Sequence, residues 1–214
     1  MKEAKRRTRD PEATREALLR AATELFALKG EAGVRVDEIA RRANVNKALI
    51  NYYFGGKRGL YRATIASSFV ELERLTEVLS DTSRPPLELL RQFVAGFAEL
   101  AGERRPHFPA LFMRETLSTG APVPEGVAHF PTMLRRFRQV IRRGVAAGEL
   151  RKVDPSELYL HLIGSLAFFF ATAPARERLR GKLHVAVPRP AAYVRFVQDG
   201  LARILTPSTS GENR

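Results

Sequence analysis

The stretch that decides the fold spans residues 34–60 and reads VRVDEIARRANVNKALINYYFGGKRGL. Apolar residues recur in it at helical spacing over residues 36–43 and again over about residues 46–54. Asn44 stands between the two segments, and asparagine is one of the few residues that adopt the left-handed conformation of a tight turn. Because the small Ala40 lets the two segments cross closely, the pattern predicts a helix-turn-helix.

A further helix is predicted immediately before this motif. Its apolar stripe consists of Leu18, Leu19, Ala22, Leu25 and Phe26. Thr14 is the expected N-cap, and Gly30 follows the last turn. Residues 1–13 are rich in Lys and Arg and close with Asp10-Pro11, so we interpret them as a flexible basic arm that either contacts DNA or stays in solvent.

The remainder of the chain also predicts helices, without an alternating pattern typical of a strand. Lys57 opens a long helix that we expect to run to about Leu79, before a break at residues 81–86. Further helices are expected at about residues 87–102, 107–118, 126–147, 155–173 and 190–205. Residues 176–182 are interpreted as a loop, and residues 206–214 as a disordered tail.

The composition narrows the classes of function. Of the 214 residues, 44% are hydrophobic, which is enough for a packed core. The formal net charge is +13, and residues 1–60 alone hold 14 Lys or Arg against 8 Asp or Glu. This concentration of positive charge favours an anionic partner for the N-terminal end. The absence of cysteine excludes disulfides, cysteine-based zinc sites, iron–sulfur clusters and thiol nucleophiles.

Neither a secretory signal nor a membrane span is expected. The N-terminus, MKEAKRRTRD, is charged, and no apolar segment follows it. The most apolar stretch, residues 158–173, is shorter than a spanning helix and contains His161 and Ser165. We therefore expect a cytoplasmic protein.

The motif at residues 34–60 resembles the DNA-binding signature of the TetR family of bacterial transcriptional repressors. The markers that carry the resemblance are Ile39, Ala40, Ala43, Val45, Lys47, Ile50, Tyr53, Phe54, Lys57 and Leu60. The likeness extends upstream through residues 21–30, so that specific motif covers about residues 14–60. It implies a three-helix DNA-binding head followed by a larger helical domain that dimerises and binds a ligand.

The second helix of the motif is the expected reader of DNA. A recognition helix enters the major groove and reads base edges with side chains that packing does not use. The positions expected to stay open to DNA are Asn46, Lys47, Ala48, Leu49, Asn51 and Tyr52. Lys47 is suited to guanine, Asn51 to adenine, and Ala48 to a thymine methyl group.

The resemblance implies DNA contacts at particular positions, namely Lys47, Ala48, Tyr52, Tyr53 and Lys57, the last presenting its charge and nearby helix N–H groups to a phosphate. Three positions depart from the family pattern. Arg35 stands where Ser or Thr commonly caps the second helix, so it retains a phosphate contact but no cap. Leu49 lacks the hydroxyl of a frequent threonine, and Asn51 replaces a frequent tyrosine. For Tyr53 and Phe54, packing in the core is preferred over contact with DNA.

The larger domain is expected to dimerise and to bind an effector. The resemblance implies a four-helix dimer interface made by the helices at residues 155–173 and 190–205. A homodimer would place two recognition helices about 34 Å apart on a palindromic site. Candidates for the lining of a pocket for a small apolar or aromatic effector are Phe69, Phe97, Met113, Phe137, His161 and Ser165. For each of them, ordinary core packing is the preferred alternative.

Two arginine clusters lie outside the DNA-binding motif. Arg135, Arg138 and Arg142 share one face of the predicted helix at residues 126–147, and the second cluster lies in residues 176–182. A solvated surface is preferred over a second nucleic-acid contact for both.

The sequence does not support catalysis. It contains neither HExxH nor GxSxG, and its four histidines lack a paired metal spacing. Gly56-Lys57 is not a phosphate-binding loop, because Asn51 stands where that motif needs glycine and Arg58 where it needs Ser or Thr. We expect neither a cofactor nor a metal site.

The sequence therefore predicts an all-α, homodimeric transcriptional regulator. Its expected parts are an arm over residues 1–13, a helix-turn-helix DNA-binding domain over 14–60, an effector-binding and dimerisation domain over 61–205, and a tail over 206–214. We expect a repressor that a small-molecule effector releases from a palindromic operator in double-stranded DNA, with the helix beginning at Lys57 transmitting the change. Two alternatives remain: a protein that coats DNA without sequence preference, and an adaptor controlled by a protein partner.

Overall fold

Helix α1 covers Pro11–Lys29 in the computed structural model, which describes residues 10–117, 124–183 and 186–207. Asp10 caps it, because its carboxylate accepts a hydrogen bond from the Glu12 N–H at 3.0 Å, and Pro11 occupies the first helical position. The prediction that Thr14 is the cap is wrong: Thr14 is buried one turn inside the helix and donates to the Asp10 carbonyl. Residues 11–13 of the predicted arm are thus helical, and residues 1–9 lie outside the described residues.

The N-terminal one of two compact units, Met1–Ser67, contains the predicted helix-turn-helix. Helix α2 covers Val36–Ala43, α3 covers Ala48–Phe54, and α4, Lys57–Leu75, begins in this unit. Its core is closed by fully buried side chains from all four helices, namely Leu18, Phe26, Ile39, Ile50 and Leu60. Burial of this stripe holds the short helices α2 and α3 in place, since helices of this length are not stable alone.

The C-terminal unit, Ser68–Arg214, is also helical. After α4, the predicted continuation to Leu79 is a 3₁₀-helix at Thr76–Ser80. The helices that follow are α5 (Pro86–Glu99, continued by a π-helical turn at Leu100–Arg104), α6 (Phe108–Thr116), α7 (Pro124–Val127), α8 (Phe130–Ala146), α9 (Pro155–Ala171), α10 (Ala173–Leu183) and α11 (Pro190–Leu205). No strand occurs within the described ranges, and the all-α prediction is confirmed.

Two predictions of local structure in this unit are wrong. Residues 176–182, expected as a loop, belong to α10. The single helix expected at residues 126–147 is two helices, α7 and α8. Pro131 explains the second start, because it takes one of the first two helical positions of α8, where its missing N–H costs nothing. Of the predicted tail, residues 208–214 lie outside the described residues.

Helices α5 and α9 form the centre of the C-terminal unit. Helix α6 packs on α9, α11 packs on α5, and α8 packs on α9 and on the 3₁₀-helix. Aromatic rings fill the interior: the ring of Phe93 meets that of Phe137 edge to face at 5.0 Å, and Phe137 meets Tyr159 at 5.3 Å. Such edge-to-face pairs add to the stabilisation that comes from burial alone.

A stack of rings connects the last three helices. The ring of Phe169 in α9 lies parallel to that of Tyr193 in α11, with centroids 4.0 Å apart, and Phe196 continues the stack. On Phe169 lies the guanidinium of Arg176, 3.7 Å from the ring centroid, which also donates to Thr172 Oγ1 at 2.6 Å. This cation–π contact attaches α10 to α9.

Candidate nucleic-acid interface

The turn of the helix-turn-helix has the predicted geometry. Asn44 adopts the left-handed conformation, with φ 54° and ψ 48°, directly after α2. The N–H of Val45 donates to the Ala40 carbonyl at 3.0 Å, which satisfies a carbonyl left open at the helix end. The turn therefore directs the chain from α2 into α3 within a few residues, as the sequence predicts.

Asn46 lies two residues before the recognition helix α3. Its side-chain oxygen accepts a hydrogen bond from the Ala48 N–H at 2.8 Å, and its carbonyl accepts one from the Leu49 N–H at 3.1 Å. Asparagine is among the preferred residues for capping a helix N-terminus. The side chain that the sequence assigns to DNA contact thus also holds the first turn of α3.

One face of α3 is open. The residues with exposed side chains are Asn46, Lys47, Ala48, Asn51 and Tyr52, which we call the reading face. Tyr52 is the most prominent of these, with 78% of its surface exposed, whereas Ile50 on the opposite side is fully buried. Leu49, predicted among the open positions, is half-buried. The reading face combines a cation, two amides, a small residue and a phenol, all of which can contact base edges or phosphates.

The rings at the end of α3 form part of the support of the motif. Tyr53 and Phe54 are both half-buried, and the Tyr53 ring lies 4.9 Å from that of Tyr52, edge to face. The guanidinium of Arg15 in α1 lies over the Phe54 ring at 5.5 Å. Phe54 therefore packs within the unit, in line with the preference stated for it from sequence.

Lys57 has internal partners. Its ammonium donates to the carbonyls of Glu31 at 2.8 Å and Val34 at 3.2 Å, in the loop between α1 and α2. The predicted contact between this ammonium and phosphate competes with these bonds. The sequence did not indicate them, because the partners are backbone atoms more than twenty residues away.

The start of α2 is open, as expected from its residues. Arg35 occupies the N-cap position with extended backbone, and no side-chain hydrogen bond caps the helix there. Its side chain is exposed and can reach an anion. Two residues later, the exposed Asp37 carboxylate accepts from the Lys47 ammonium at 3.0 Å. The sequence does not predict this pair, since no helical spacing links positions ten residues apart across a turn.

Other ion pairs connect α2 to α1. Arg42 makes a two-pronged contact with the Glu24 carboxylate, with its closest hydrogen bond at 2.8 Å. Lys29 at the end of α1 pairs with Glu38. These contacts hold the first and the last turn of α2 against α1. The two helices that precede the reading face are therefore joined by ion pairs at both ends of α2.

The aromatic candidates for an effector pocket lie in the interior of the C-terminal unit. The Phe69 ring stacks on His129 at 6.3 Å and lies 5.6 Å from Phe112, while His129 pairs with the Glu73 carboxylate. Phe97 and Phe137 are fully buried, and both meet the ring of Phe93. The structure thus places the three phenylalanines in one aromatic interior, with a polar group beside Phe69.

The remaining pocket candidates differ from one another. Met113 is half-buried, and Ser165 is half-buried with its hydroxyl donating to the Leu162 carbonyl at 3.1 Å. His161 is exposed on the outer side of α9. The prediction that His161 lines an interior pocket is therefore wrong, because the helical period carries it away from the buried residues of that helix.

The arginines of α8 divide into two groups. Arg135, Arg138 and Arg142 are exposed, on the face that the sequence predicts for them. Arg136 and Arg143 instead point back into the unit, where Arg136 donates to the Glu73 carbonyl at 2.8 Å and Arg143 to the Asp81 carbonyl at 2.7 Å. These two side chains join α8 to the 3₁₀-helix and to the turn after it.

Metal sites and membrane-spanning helices are two further features that the described ranges could contain. No group of three or more His, Asp or Glu side chains there is placed to hold a metal ion. No single described helix has the length and apolar character to cross a membrane, although α9 and residues Ala173–Arg180, bent by 52°, meet that criterion as a pair.

Comparisons with known proteins cover both units. The family model described as "Bacterial regulatory proteins, tetR family" matches residues 18–64, and that described as "Tetracyclin repressor-like, C-terminal domain" matches residues 86–199. The HTH-type transcriptional repressor SCO4008 of Streptomyces coelicolor is 28% identical over 171 residues, 80% of this chain and 85% of that protein. The HTH-type transcriptional regulator RutR of Escherichia coli is 28% identical over 179 residues, 82% of each.

A solved structure has the same fold. It is that of SmeT, the repressor of the Stenotrophomonas maltophilia multidrug efflux pump SmeDEF, with a TM-score of 0.67 and 21% identity, covering 93% of this chain and 93% of that one. The likeness therefore extends through both the helix-turn-helix and the helices that follow it.

Proposed function

The chain belongs to the TetR family of bacterial regulatory proteins, and we propose that it acts as a homodimeric repressor that leaves a palindromic operator when a small effector binds. Membership makes it a DNA-binding transcription regulator with a helix-turn-helix. The observation that carries the proposal is the reading face of α3, where polar and charged side chains are exposed on a helix whose opposite side is buried. That arrangement suits insertion into a major groove.

The proposed contacts follow the chemistry of the reading face. Lys47 donates to guanine O6 and N7, Asn51 pairs with adenine N6 and N7, and Ala48 lies against a thymine methyl group. Tyr52 and Arg35 bond to phosphates at the sides. Tyr53 adds a hydroxyl contact from its half-buried position, and at Lys57 the open N–H groups of the start of α4 approach phosphate.

Dimerisation is supported by an apolar surface on α9 and α11. Leu160 and Phe168 on α9 are 64% and 62% exposed, and Phe196 on α11 is 71% exposed. Gly164 lies between the two α9 residues at a spacing of four, with nothing within 4 Å of the position a Cβ would take. A second copy of the chain would bury these side chains and approach closely at the glycine, which removes apolar surface from water.

An effector site is supported by the aromatic interior of the C-terminal unit. Phe69, Phe97 and Phe137 lie in it, Met113 on α6 and Ser165 on α9 are half-buried, and the His129–Glu73 pair supplies polar groups. Sites for small apolar or aromatic molecules combine such rings with a few polar groups.

The mechanism we propose is a shift of population between two conformations. The effector binds better to a state with lower operator affinity, and α4, which belongs to both units, transmits the change.

Selection of sheared DNA from the source genome by the purified protein tests this function. The selection is done near physiological salt, and the bound DNA is sequenced. We expect enrichment of a two-fold symmetric site, because two identical reading faces would each contact one half of it. Genes beside the enriched site then supply candidate effectors, whose release of the operator is measured directly.

Two outcomes would overturn parts of the proposal. Uniform enrichment that disappears as salt is raised would indicate binding through phosphates alone, as in a protein that coats DNA without sequence preference. A symmetric operator that no small molecule releases, but a protein from the same cells does, would indicate an adaptor controlled by a partner.

A further inference from the structure

The pair between Asp37 and Lys47 joins the two helices of the motif at the reading face. Asp37 lies in the first turn of α2, and Lys47 directly precedes α3. Lys47 Nζ and Asp37 Oδ1 are 3.0 Å apart, yet the two side chains remain 66% and 71% exposed. The carboxylate thus stands beside the ammonium that is best placed to enter the groove.

The other acidic residue of that turn has a different position. Glu38 follows Asp37 in sequence, but it pairs with Lys29 at the end of α1 and its side chain is only 24% exposed. The two neighbouring carboxylates therefore carry the same charge on the same helical turn and differ in what they face. A comparison of variants at Asp37 and Glu38 can therefore distinguish the loss of one negative charge from α2 from the loss of a specific role of Asp37.

We propose that Asp37 is a specificity-determining residue, which acts with Lys47 as one unit to read a G·C base pair and to disfavour sequence-neutral binding. The inference rests on the proposed function, since it requires an operator. In the major groove, guanine presents two adjacent acceptors, O6 and N7, and its cytosine partner presents the N4 donor beside them. An ammonium with a carboxylate next to it offers the complementary order of a donor followed by an acceptor.

The pair distinguishes this base pair from A·T. On A·T, the ammonium can donate to adenine N7 and the carboxylate can accept from adenine N6, but the ammonium then has one acceptor instead of two. The carboxylate also lies beside the thymine O4 acceptor, which repels it. A carboxylate also carries no proton to give to phosphate and repels it at short range. When the protein binds DNA through phosphate contacts alone, the Asp37 carboxylate therefore lies near phosphates that repel it. At a correctly placed G·C pair, the same carboxylate accepts a hydrogen bond from cytosine N4.

The test compares Asp37→Ala with Glu38→Ala in the full-length protein. Both substitutions remove one negative charge from the first turn of α2, and thermal unfolding checks that both proteins are folded. Affinities are measured by fluorescence anisotropy for the operator found with the unsubstituted protein, for a scrambled duplex of equal length, and for operators altered at one half-site position at a time. We expect Asp37→Ala to lower the ratio of operator to scrambled affinity about fivefold or more, mainly by raising affinity for the scrambled duplex, and to abolish the preference for G·C at one position.

The outcomes separate this inference from the proposed function. If the unsubstituted protein selects no operator, both are overturned. If it selects an operator and Asp37→Ala leaves the ratio unchanged, or Glu38→Ala lowers it equally, the proposed function stands and the role of Asp37 is overturned. If Asp37→Ala lowers the ratio of operator to scrambled affinity but no half-site position loses its preference for G·C, Asp37 does not read a base pair. Its role is then limited to repulsion of phosphate.

Discussion

At the scale of a single residue, the hydrogen-bond partners of Lys57 indicate a structural role for its ammonium group. The sequence places it beside two glycines at the start of α4, where the resemblance to the family implies a phosphate contact. In the structure Lys57 is half-buried, and its ammonium donates to the carbonyls of Glu31 and Val34. It therefore connects the loop after α1 to the start of α4, inside the unit that presents the reading face.

We predict that Lys57→Met destabilises the protein and leaves the salt dependence of operator binding unchanged. Methionine keeps most of the length of the side chain but removes the donor, and a charged hydrogen bond of this kind contributes about 1.5 kcal/mol or more to the free energy of unfolding. Denaturant unfolding measures the first effect, and binding at several salt concentrations measures the second. The neighbouring exposed Arg58 provides the control, Arg58→Met, which should change stability little. A salt slope reduced by about 0.9 for each lost contact would instead show that Lys57 binds phosphate.

Residue-level properties could be predicted where they are local. Asn44 was identified as left-handed because asparagine tolerates that conformation, and Arg35 was identified as unable to cap because it lacks a short acceptor. The partners of Lys57 and of Asp37 could not be predicted, because they lie far away in sequence. Thr14 failed as a cap because Asp10 followed by proline is a stronger start signal one turn earlier.

Among the elements, α9 begins at a strong cap. The Asp154 carboxylate accepts hydrogen bonds from the N–H groups of Glu157 at 3.1 Å and Ser156 at 2.7 Å. These bonds favour the charged form and lower the pKa of Asp154 from its ordinary value of 3.8. Because the folded pKa is the lower one, the stabilisation is present above the unfolded value and is lost as pH falls through the folded value.

We predict that Asp154→Ala lowers the melting temperature at neutral pH and that this deficit shrinks as pH falls below 3.8. Alanine removes the acceptor that the start of α9 requires. Thermal unfolding followed by circular dichroism from pH 7 downward measures the difference. Asp154→Asn is the matched control, because it keeps an acceptor and should retain most of the stability while losing the dependence on pH. A deficit that is constant with pH would contradict the role of the charge.

Gly144 permits the close approach of α8 and the segment that follows it. A Cβ at this position would lie 2.5 Å from Cγ and Cδ1 of Leu150, which is buried, and 3.1 Å from its Cβ. We predict that Gly144→Ala destabilises the protein by about 1–3 kcal/mol, the usual cost of overpacking. Gly102→Ala, where the nearest atom to the added carbon is Phe170 Cε1 at an ordinary contact distance of 3.4 Å, is the control. Equal denaturation midpoints for the two variants would show that Leu150 moves aside without cost.

Helix positions were largely predictable, because prolines and caps mark their starts. Pro86, Pro155 and Pro190 stand at the first turns of α5, α9 and α11. Helix α10 is not predicted, because the sequence pattern indicates a loop at residues 176–182, whereas Pro174 lies in the first turn of a helix, where proline is tolerated. Its attachment comes from Arg176 on the Phe169 ring, a contact between elements that no local pattern reports.

For the whole molecule, the proposed dimerisation depends on the exposed apolar side chains of α9 and α11 rather than on the buried core. We predict that Phe168→Asp and Phe196→Asp convert a dimer into folded monomers and reduce operator affinity, because each removes an apolar group worth about 1.5–3 kcal/mol on burial and adds a charge. Sedimentation equilibrium measures the assembly. Leu117→Asp, at a residue 71% exposed at the end of α6, is the control. Dimerisation that survives both phenylalanine substitutions would place the interface elsewhere.

At this scale the class of protein was predictable and the details of regulation were not. The markers at residues 34–60 identify a helix-turn-helix regulator, because a turn and two amphipathic segments are local patterns. The sequence offers Phe69, Phe97 and Phe137 as candidates for a pocket lining, and the structure places the three rings in one aromatic interior. His161 was misplaced, because a helix that is apolar on most sides gives no sign of which face turns outward.

The stack of Phe169, Tyr193 and Phe196 has an optical consequence. The chain contains no tryptophan and five tyrosines, so its ultraviolet emission comes from tyrosine alone. Tyr52 and Tyr53 lie in the recognition helix, whereas Tyr193 lies in the stack between α9 and α11. A tryptophan in place of Phe196 would be the single indole of the molecule. Its emission could be excited selectively, so that it would follow the association of two copies at the exposed end of the stack. Quenching of tyrosine emission would follow the binding of DNA.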